Sequence, residues 1–273
     1  MNTLKIVGKA INLVSYLSPN FAAKLAVLVF SKPRKAKLNN EAIQYLSSAK
    51  QESLTCNNFK IKTYHWKGTK KTIFLAHGWD SNSFRWKDLI ELLKHDNYNI
   101  ISIDAPAHGA SGSKIFNAPL YSQCIKVAVN TYKPNIIIGH SVGGTASVIA
   151  LENHHLPSIE KIVLLGAPSN LAISVNNYVN MMGYNSKVSK AMNLYYLKHF
   201  NHLPEYYCVE NFFNNIKAKG LIVHDKKDRI ISFKEALDIK RVYKNSELIK
   251  TKGFGHGLKS EKVYNHILEF LND

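Results

Sequence analysis

Three observations predict an α/β fold, with an eight-stranded, mostly parallel sheet flanked by helices and a small helical cap. Short apolar runs of strand type alternate with longer runs of helical periodicity through most of the 273 residues. Central runs such as Thr72-Ile73-Phe74-Leu75-Ala76 and Asn135-Ile136-Ile137-Ile138 are continuously apolar, as strands buried on both faces must be. Several of these runs stop in turns that carry glycine and histidine, and open α/β sheets bind their ligands at the carboxyl ends of strands.

The elements follow in order. Leu4, Val7, Ile11 and Val14 recur at helical spacing, and Ser18-Pro19 reads as the N-cap and first position of a second helix carrying Phe21, Leu25, Leu28 and Val29. Residues 1–50 are expected to be an N-terminal helical extension, closed by a short helix over Asn40–Ala49, and 51–273 the main domain. Strands are predicted at Glu52–Cys56 and Phe59–Trp66, the second with period two, then at Thr72–Ala76 and Asn99–Ile103. Trp86, Leu89, Ile90, Leu92 and Leu93 mark the helix between the last two, and another helix is expected near Tyr121–Tyr132. Further strands are read at 135–139, Ile162–Leu165, Gly220–His224 and Glu247–Thr251, with helices at Phe233–Tyr243 and Leu258–Leu271. Residues 169–216 break the alternation and read as a helical cap insert, rich in Tyr, Met, Phe and Asn.

Composition narrows the function classes. The formal charge is +17, almost all of it lysine, with Arg34, Arg85, Arg229 and Arg241 as the arginines. Arginine is the better fork for phosphate and guanine, and the lysines are scattered, so no specific nucleic-acid partner is expected. Cys56, Cys124 and Cys208 are odd in number and widely spaced, which gives no metal or disulfide framework and suggests a reducing, cytoplasmic setting. Gly-x-Gly-x-x-Gly is absent, and no cofactor or metal is expected. The apolar start is interrupted by Lys9, Pro19 and Lys24, so it reads as helices packed on the domain rather than a spanning segment. The rival reading is a weak peripheral membrane contact through residues 4–37, helped by the basic run Lys32-Pro33-Arg34-Lys35-Ala36-Lys37.

The chemistry centres on Gly139-His140-Ser141-Val142-Gly143. An apolar strand running into Gly-x-Ser-x-Gly and then into small residues suits a tight strand-to-helix turn that lifts a serine hydroxyl off the sheet. The backbone N–H groups that follow, Val142 first, lie at a helix N-terminus and face any oxyanion formed there. A serine hydroxyl needs a base within reach, and His256, in the loop Gly253-Phe254-Gly255-His256-Gly257 after the last strand, is the best placed of twelve histidines. Asp225 and Asp228 both follow the Val223 strand and both are candidates for the supporting acid. A supporting role for His140 stays open.

The ordered set His77-Gly78-Trp79, Asp104-x-Pro106-x-His108-Gly109-x-Ser111, Gly139-x-Ser141-x-Gly143, Asp225-x-x-Asp228 and Gly255-His256-Gly257 resembles the α/β-hydrolase family of serine hydrolases over roughly residues 50–273. The resemblance implies the order Ser141, Asp228, His256 for nucleophile, acid and base. It gives the second oxyanion N–H to Trp79 and leaves His77 to orient that loop. Asp104 is expected to hold turn backbone. The activity implied is hydrolysis of a small-molecule carboxylic ester or thioester with an apolar part. A carbon–carbon bond hydrolase or acyltransferase with the same triad, and a non-catalytic binding protein, are the alternatives. Tyr178, Met181, Met182, Tyr184, Met192, Tyr195, Tyr196 and Phe200 are expected either to roof the site or to fill the insert's own core.

Overall fold

In the computed structural model, residues 3–34, 36–213 and 215–273 are described; Met1, Asn2, Lys35 of the basic run and Asn214 of the insert lie outside them. The chain divides into two compact units, Met1–Lys32 with Asn170–Asn211, and Pro33–Ser169 with Phe212–Asp273.

The larger unit holds the sheet. Its elements are α3 (Asn40–Leu46), β1 (Lys50–Cys56), β2 (Phe59–Trp66), β3 (Thr72–Ala76), α4 (Lys87–His95), β4 (Asn99–Ile103), α5 (Ala118–Tyr132), β5 (Ile136–His140), α6 (Val142–Asn153), β6 (Lys161–Leu165), β7 (Lys219–Asp225), α10 (Phe233–Val242), β8 (Ser246–Thr251) and α11 (Glu261–Asn272). The eight strands pair in the order β1-β2-β4-β3-β5-β6-β7-β8. β2 runs antiparallel to both of its neighbours and every other pairing is parallel, with Phe74 opposite Ile101 and Ile137, for example.

Burial explains the unbroken apolar runs. Ile73 and Leu75 enter a core shared with Leu89 and Leu93 of α4 and Val263 and Ile267 of α11, while Phe74 between them is equally buried on the opposite face. Each such side chain contributes about 1.5–3 kcal/mol when fully removed from water. Two helix starts differ from the sequence reading. α5 begins at Ala118 because the Asn117 side chain accepts the Leu120 N–H and Pro119 fits the first turn. α11 begins at Glu261 because Leu258 has φ +49° and Ser260 caps the helix through the Val263 N–H.

The smaller unit joins the apolar start to the insert. α1 (Thr3–Leu17) and α2 (Pro19–Phe30) share one core with α7 (Leu171–Met182) and α8 (Ser186–Phe200), and a single turn, α9 (Val209–Phe212), closes the insert. Ser18 caps α2 by accepting the Phe21 N–H, with Pro19 as first helical residue. Ala22, Ala23 and Ala26 are fully buried and let α2 lie close to α8. A side chain at Gly8 would collide with the Met182 carbonyl, so α1 crosses the end of α7 at backbone distance. Asn12 fixes that crossing by donating to the Gly183 carbonyl at 2.8 Å and accepting the Asn185 N–H at 2.9 Å. Tyr178, Met182, Tyr184, Met192 and Tyr196 are buried in this core; Tyr195 and Phe200 pack against it, and Met181 is exposed.

Candidate active site

The turn after β5 is held by close packing. Ser141 has φ +52° and ψ −132°, a conformation that costs about 1–3 kcal/mol in a non-glycine residue. A side chain at Gly143 would strike the carbonyl oxygens of Ala76 and His77, and one at Gly139 would strike the backbone of Gly144. The small residues therefore let α6 start against the ends of β3 and β5. The Ser141 N–H donates to the Leu165 carbonyl at 2.8 Å, and the Gly144 N–H returns to the Ser141 carbonyl at 2.9 Å.

The hydroxyl raised by this turn meets a histidine. Ser141 Oγ lies 3.0 Å from His256 Nε2, and His256 Nδ1 lies 2.7 Å from Asp228 Oδ2. An ionised Asp228 only accepts, so Nδ1 carries the proton and Nε2 is left to accept from Ser141. Burial works against ionisation of Asp228. The donors around it outweigh that: His224 and His256 on one oxygen, and the N–H groups of Ile231 and Ile230 on the other, hold its carboxyl well below the usual carboxylate range. Asp225 turns elsewhere. It accepts from the Lys227 N–H, the Thr251 hydroxyl and the Phe254 N–H, and so ties the β7 turn to the histidine loop.

Two backbone segments border the serine on its other side. Val142 is the first residue of α6, so its N–H belongs to the group that a helix leaves without an internal acceptor. Gly78 lies against the serine itself: a Cβ there would sit 2.8 Å from Ser141 Cβ. Trp79 follows, its ring edge-on to Phe116 at 5.1 Å and to His108 at 5.8 Å. His77 is fully buried and accepts the Ala105 N–H on Nε2, which leaves Nδ1–H to donate to the Gly78 carbonyl. Burial pushes its pKa well down, so it stays neutral and holds the loop. His108 is built alike, between the Pro106 carbonyl and the Asp80 N–H. Asp104 accepts from Tyr64 and from the Ser83 and Ala110 N–H groups; burial raises its pKa and it supports the turn. Among the described residues no three His, Cys, Asp or Glu side chains converge as a metal-binding group.

A strained serine between a β-strand and a helix, faced by a histidine and an aspartate from later strand ends, can be compared with known proteins. A model of the alpha/beta hydrolase family matches residues 73–214. The chain belongs to the α/β-hydrolase family. It is 22% identical to the AB hydrolase superfamily protein YisY of Bacillus subtilis (strain 168), over 75% of this chain and 93% of that protein. Among solved structures it resembles an esterase from Exiguobacterium antarcticum, with a TM-score of 0.65, 16% identity and 82% of this chain against 100% of that one. It also resembles the mouse alpha/beta hydrolase domain-containing protein 10, with a TM-score of 0.65, 14% identity and coverage of 82% and 98%. At these identities the likeness is one of fold.

In this α/β hydrolase the sequence reading missed how the histidine loop is held. His140 Nε2–H donates to the carbonyl of His256 at 2.8 Å, with the two rings 4.9 Å apart. Arg85 Nη2 donates to the next carbonyl, Gly257, at 2.9 Å. Burial and the nearby charge of Arg85 keep His140 neutral, and burial lowers Arg85 only to about 10, so it remains a cation. One signal was available for Arg85. In a lysine-rich chain it is the lone arginine between Arg34 and Arg229, and a buried guanidinium is chosen where several fixed donors are needed. His140 gave no signal beyond its place beside Ser141.

Proposed function

We propose that the protein is a serine hydrolase that cleaves carboxylic esters or thioesters through an acyl-serine intermediate. The single observation that carries this reading is the unbroken hydrogen-bonded chain from Ser141 through His256 to Asp228. Ser141 Oγ attacks the carbonyl carbon while its proton passes to His256 Nε2, and Asp228 stabilises the imidazolium that forms. The developing oxyanion takes hydrogen bonds from the N–H groups of Val142 and Trp79, each worth about 3–4 kcal/mol in the transition state. His256 then gives its proton to the departing alkoxide or thiolate. Water, deprotonated by His256, attacks the acyl-serine, and the acid leaves as Ser141 regains its proton.

The test is labelling by a fluorophosphonate probe. The wild-type protein should be labelled at Ser141, and Ser141→Ala should lose both the label and turnover of p-nitrophenyl esters. Labelling that survives Ser141→Ala would overturn the assignment. A panel of matched esters, thioesters and β-diketones then assigns the bond cleaved, since a carbon–carbon hydrolase would favour the last.

A further inference from the structure

The first helix is apolar on both sides. Gly8, Ile11 and Ser15 face the core of the smaller unit, whereas Ile6, Ala10, Leu13 and Leu17, at spacings of four, three and four, form a stripe on the opposite side. Leu13 is 71% exposed and Leu17 92%. An apolar stripe opposite a helix's core face is surface that a partner or a lipid interface can cover. Phe21 of α2 and Leu194 and Leu197 of α8, in the same unit, are exposed as well. Tyr16 joins the outer edges of α1 and α8, with Lys187 Nζ 4.3 Å from its ring centre. Of the fifteen large apolar side chains exposed among the described residues, eleven lie in this smaller unit.

Its charge is as one-sided as its apolarity. The residues of the unit include seven lysines against two glutamates, Glu205 and Glu210, and α1, α2, α7 and α8 contain no acidic residue. Lys5 and Lys9 flank the α1 stripe, and Lys187, Lys190 and Lys198 share the exposed side of α8 with Leu194 and Leu197. A second copy of this surface would bring like charges together. A nucleic acid would engage the lysines and leave the leucines in water.

We propose that this unit docks on an anionic lipid bilayer, with the outer sides of α1 and α8 lying in the plane of the interface. Among the described residues no helix is long and apolar enough to cross a membrane, so the contact is interfacial. Leu13, Leu17 and Phe21 enter below the headgroups, Tyr16 sits at their level, and the lysines reach anionic phosphates on flexible stems.

Co-sedimentation of the full chain with vesicles tests it. Phosphatidylcholine vesicles containing phosphatidylglycerol should pellet the protein, pure phosphatidylcholine far less, and added salt should weaken binding. The double variant Leu13→Glu/Leu17→Glu should lose more than about tenfold in partitioning, because charge replaces the inserted surface. Its thermal midpoint should stay unchanged, since both side chains are exposed. Lys187→Gln and Lys190→Gln should each cost about fivefold, on anionic vesicles only. Three results would overturn the proposal: no pelleting with either vesicle, equal pelleting of the Leu13/Leu17 variant, or a concentration-dependent dimer that the same variant dissolves.

Discussion

Ser141 and His256 meet at 3.0 Å, yet they are positioned by different forces. The serine turn is fixed by contact: Gly78, Gly139 and Gly143 leave no room for a single added carbon. The histidine loop has the opposite character. A Cβ on Gly253, Gly255 or Gly257 would meet nothing within 4 Å, and Gly253, Gly255 and Leu258 all hold positive φ. What fixes this loop is polar. Asp225 holds the Phe254 N–H, His140 the His256 carbonyl, Arg85 the Gly257 carbonyl, and Asp228 the imidazole itself. Packing resists displacement in every direction, whereas a hydrogen bond resists it along one line. The serine is therefore set as a rigid part, and the histidine as a tethered one.

The largest effect should come from cutting the tether at the ring. Asp228→Asn should lower kcat by about 10⁴-fold, since an amide no longer fixes the tautomer or stabilises the imidazolium. The same variant carries a pH signature. Asp228 has a folded pKa below its unfolded value of about 3.9, so its stabilising effect is present above that value and disappears as pH falls through the folded one. Thermal midpoints measured from neutral pH down to about pH 3 should fall less steeply for Asp228→Asn than for the wild type. Equal slopes would mean that the carboxyl is not held low.

On the packed side, Gly143→Ala should destabilise the fold by about 3 kcal/mol, because the obstructing atoms are backbone carbonyls that cannot rotate away. Urea denaturation measures this directly. A loss below about 1 kcal/mol would show that the turn yields more readily than its contacts suggest.

These two sides were unequally legible in the sequence. Close packing leaves a local mark, because small residues must appear together, as they do in Gly139-His140-Ser141-Val142-Gly143-Gly144. The eight strands were visible for a related reason: burial on both faces demands unbroken apolar runs. The tethers left almost none. His140 and Arg85 act on backbone carbonyls 116 and 172 residues away, and a carbonyl is the same in every residue. The core shared by α1, α2, α7 and α8 was hidden likewise, since periodicity shows that a helix has an apolar face and not which distant helix covers it. Nor could spacing foretell that the free thiols of Cys56 and Cys124 meet in the core.

The two carbonyl tethers should matter less than the imidazole's own. Arg85→Met keeps length and apolar bulk but leaves the Gly257 carbonyl without its donor, at a cost of about 1–3 kcal/mol. We expect kcat to fall by about tenfold to a hundredfold with KM little changed, as for a group that orders the base without touching substrate. His140→Phe should act in the same direction through the His256 carbonyl. A rise confined to KM would place these residues in binding instead.

The smallest effects separate room from backbone conformation. Gly255 and Gly257 both have open space where a methyl group would go, but only Gly255 has a φ, +59°, that an L-residue adopts with difficulty. Gly255→Ala should therefore lower stability by about 1–2 kcal/mol through the left-handed backbone alone. Gly257→Ala should change it by less than about 0.5 kcal/mol, although it lies beside His256 and next to a tethered carbonyl. If Gly257→Ala proved as costly as Gly143→Ala, the loop would be held by packing after all, and the contrast between a packed serine and a tethered histidine would fail.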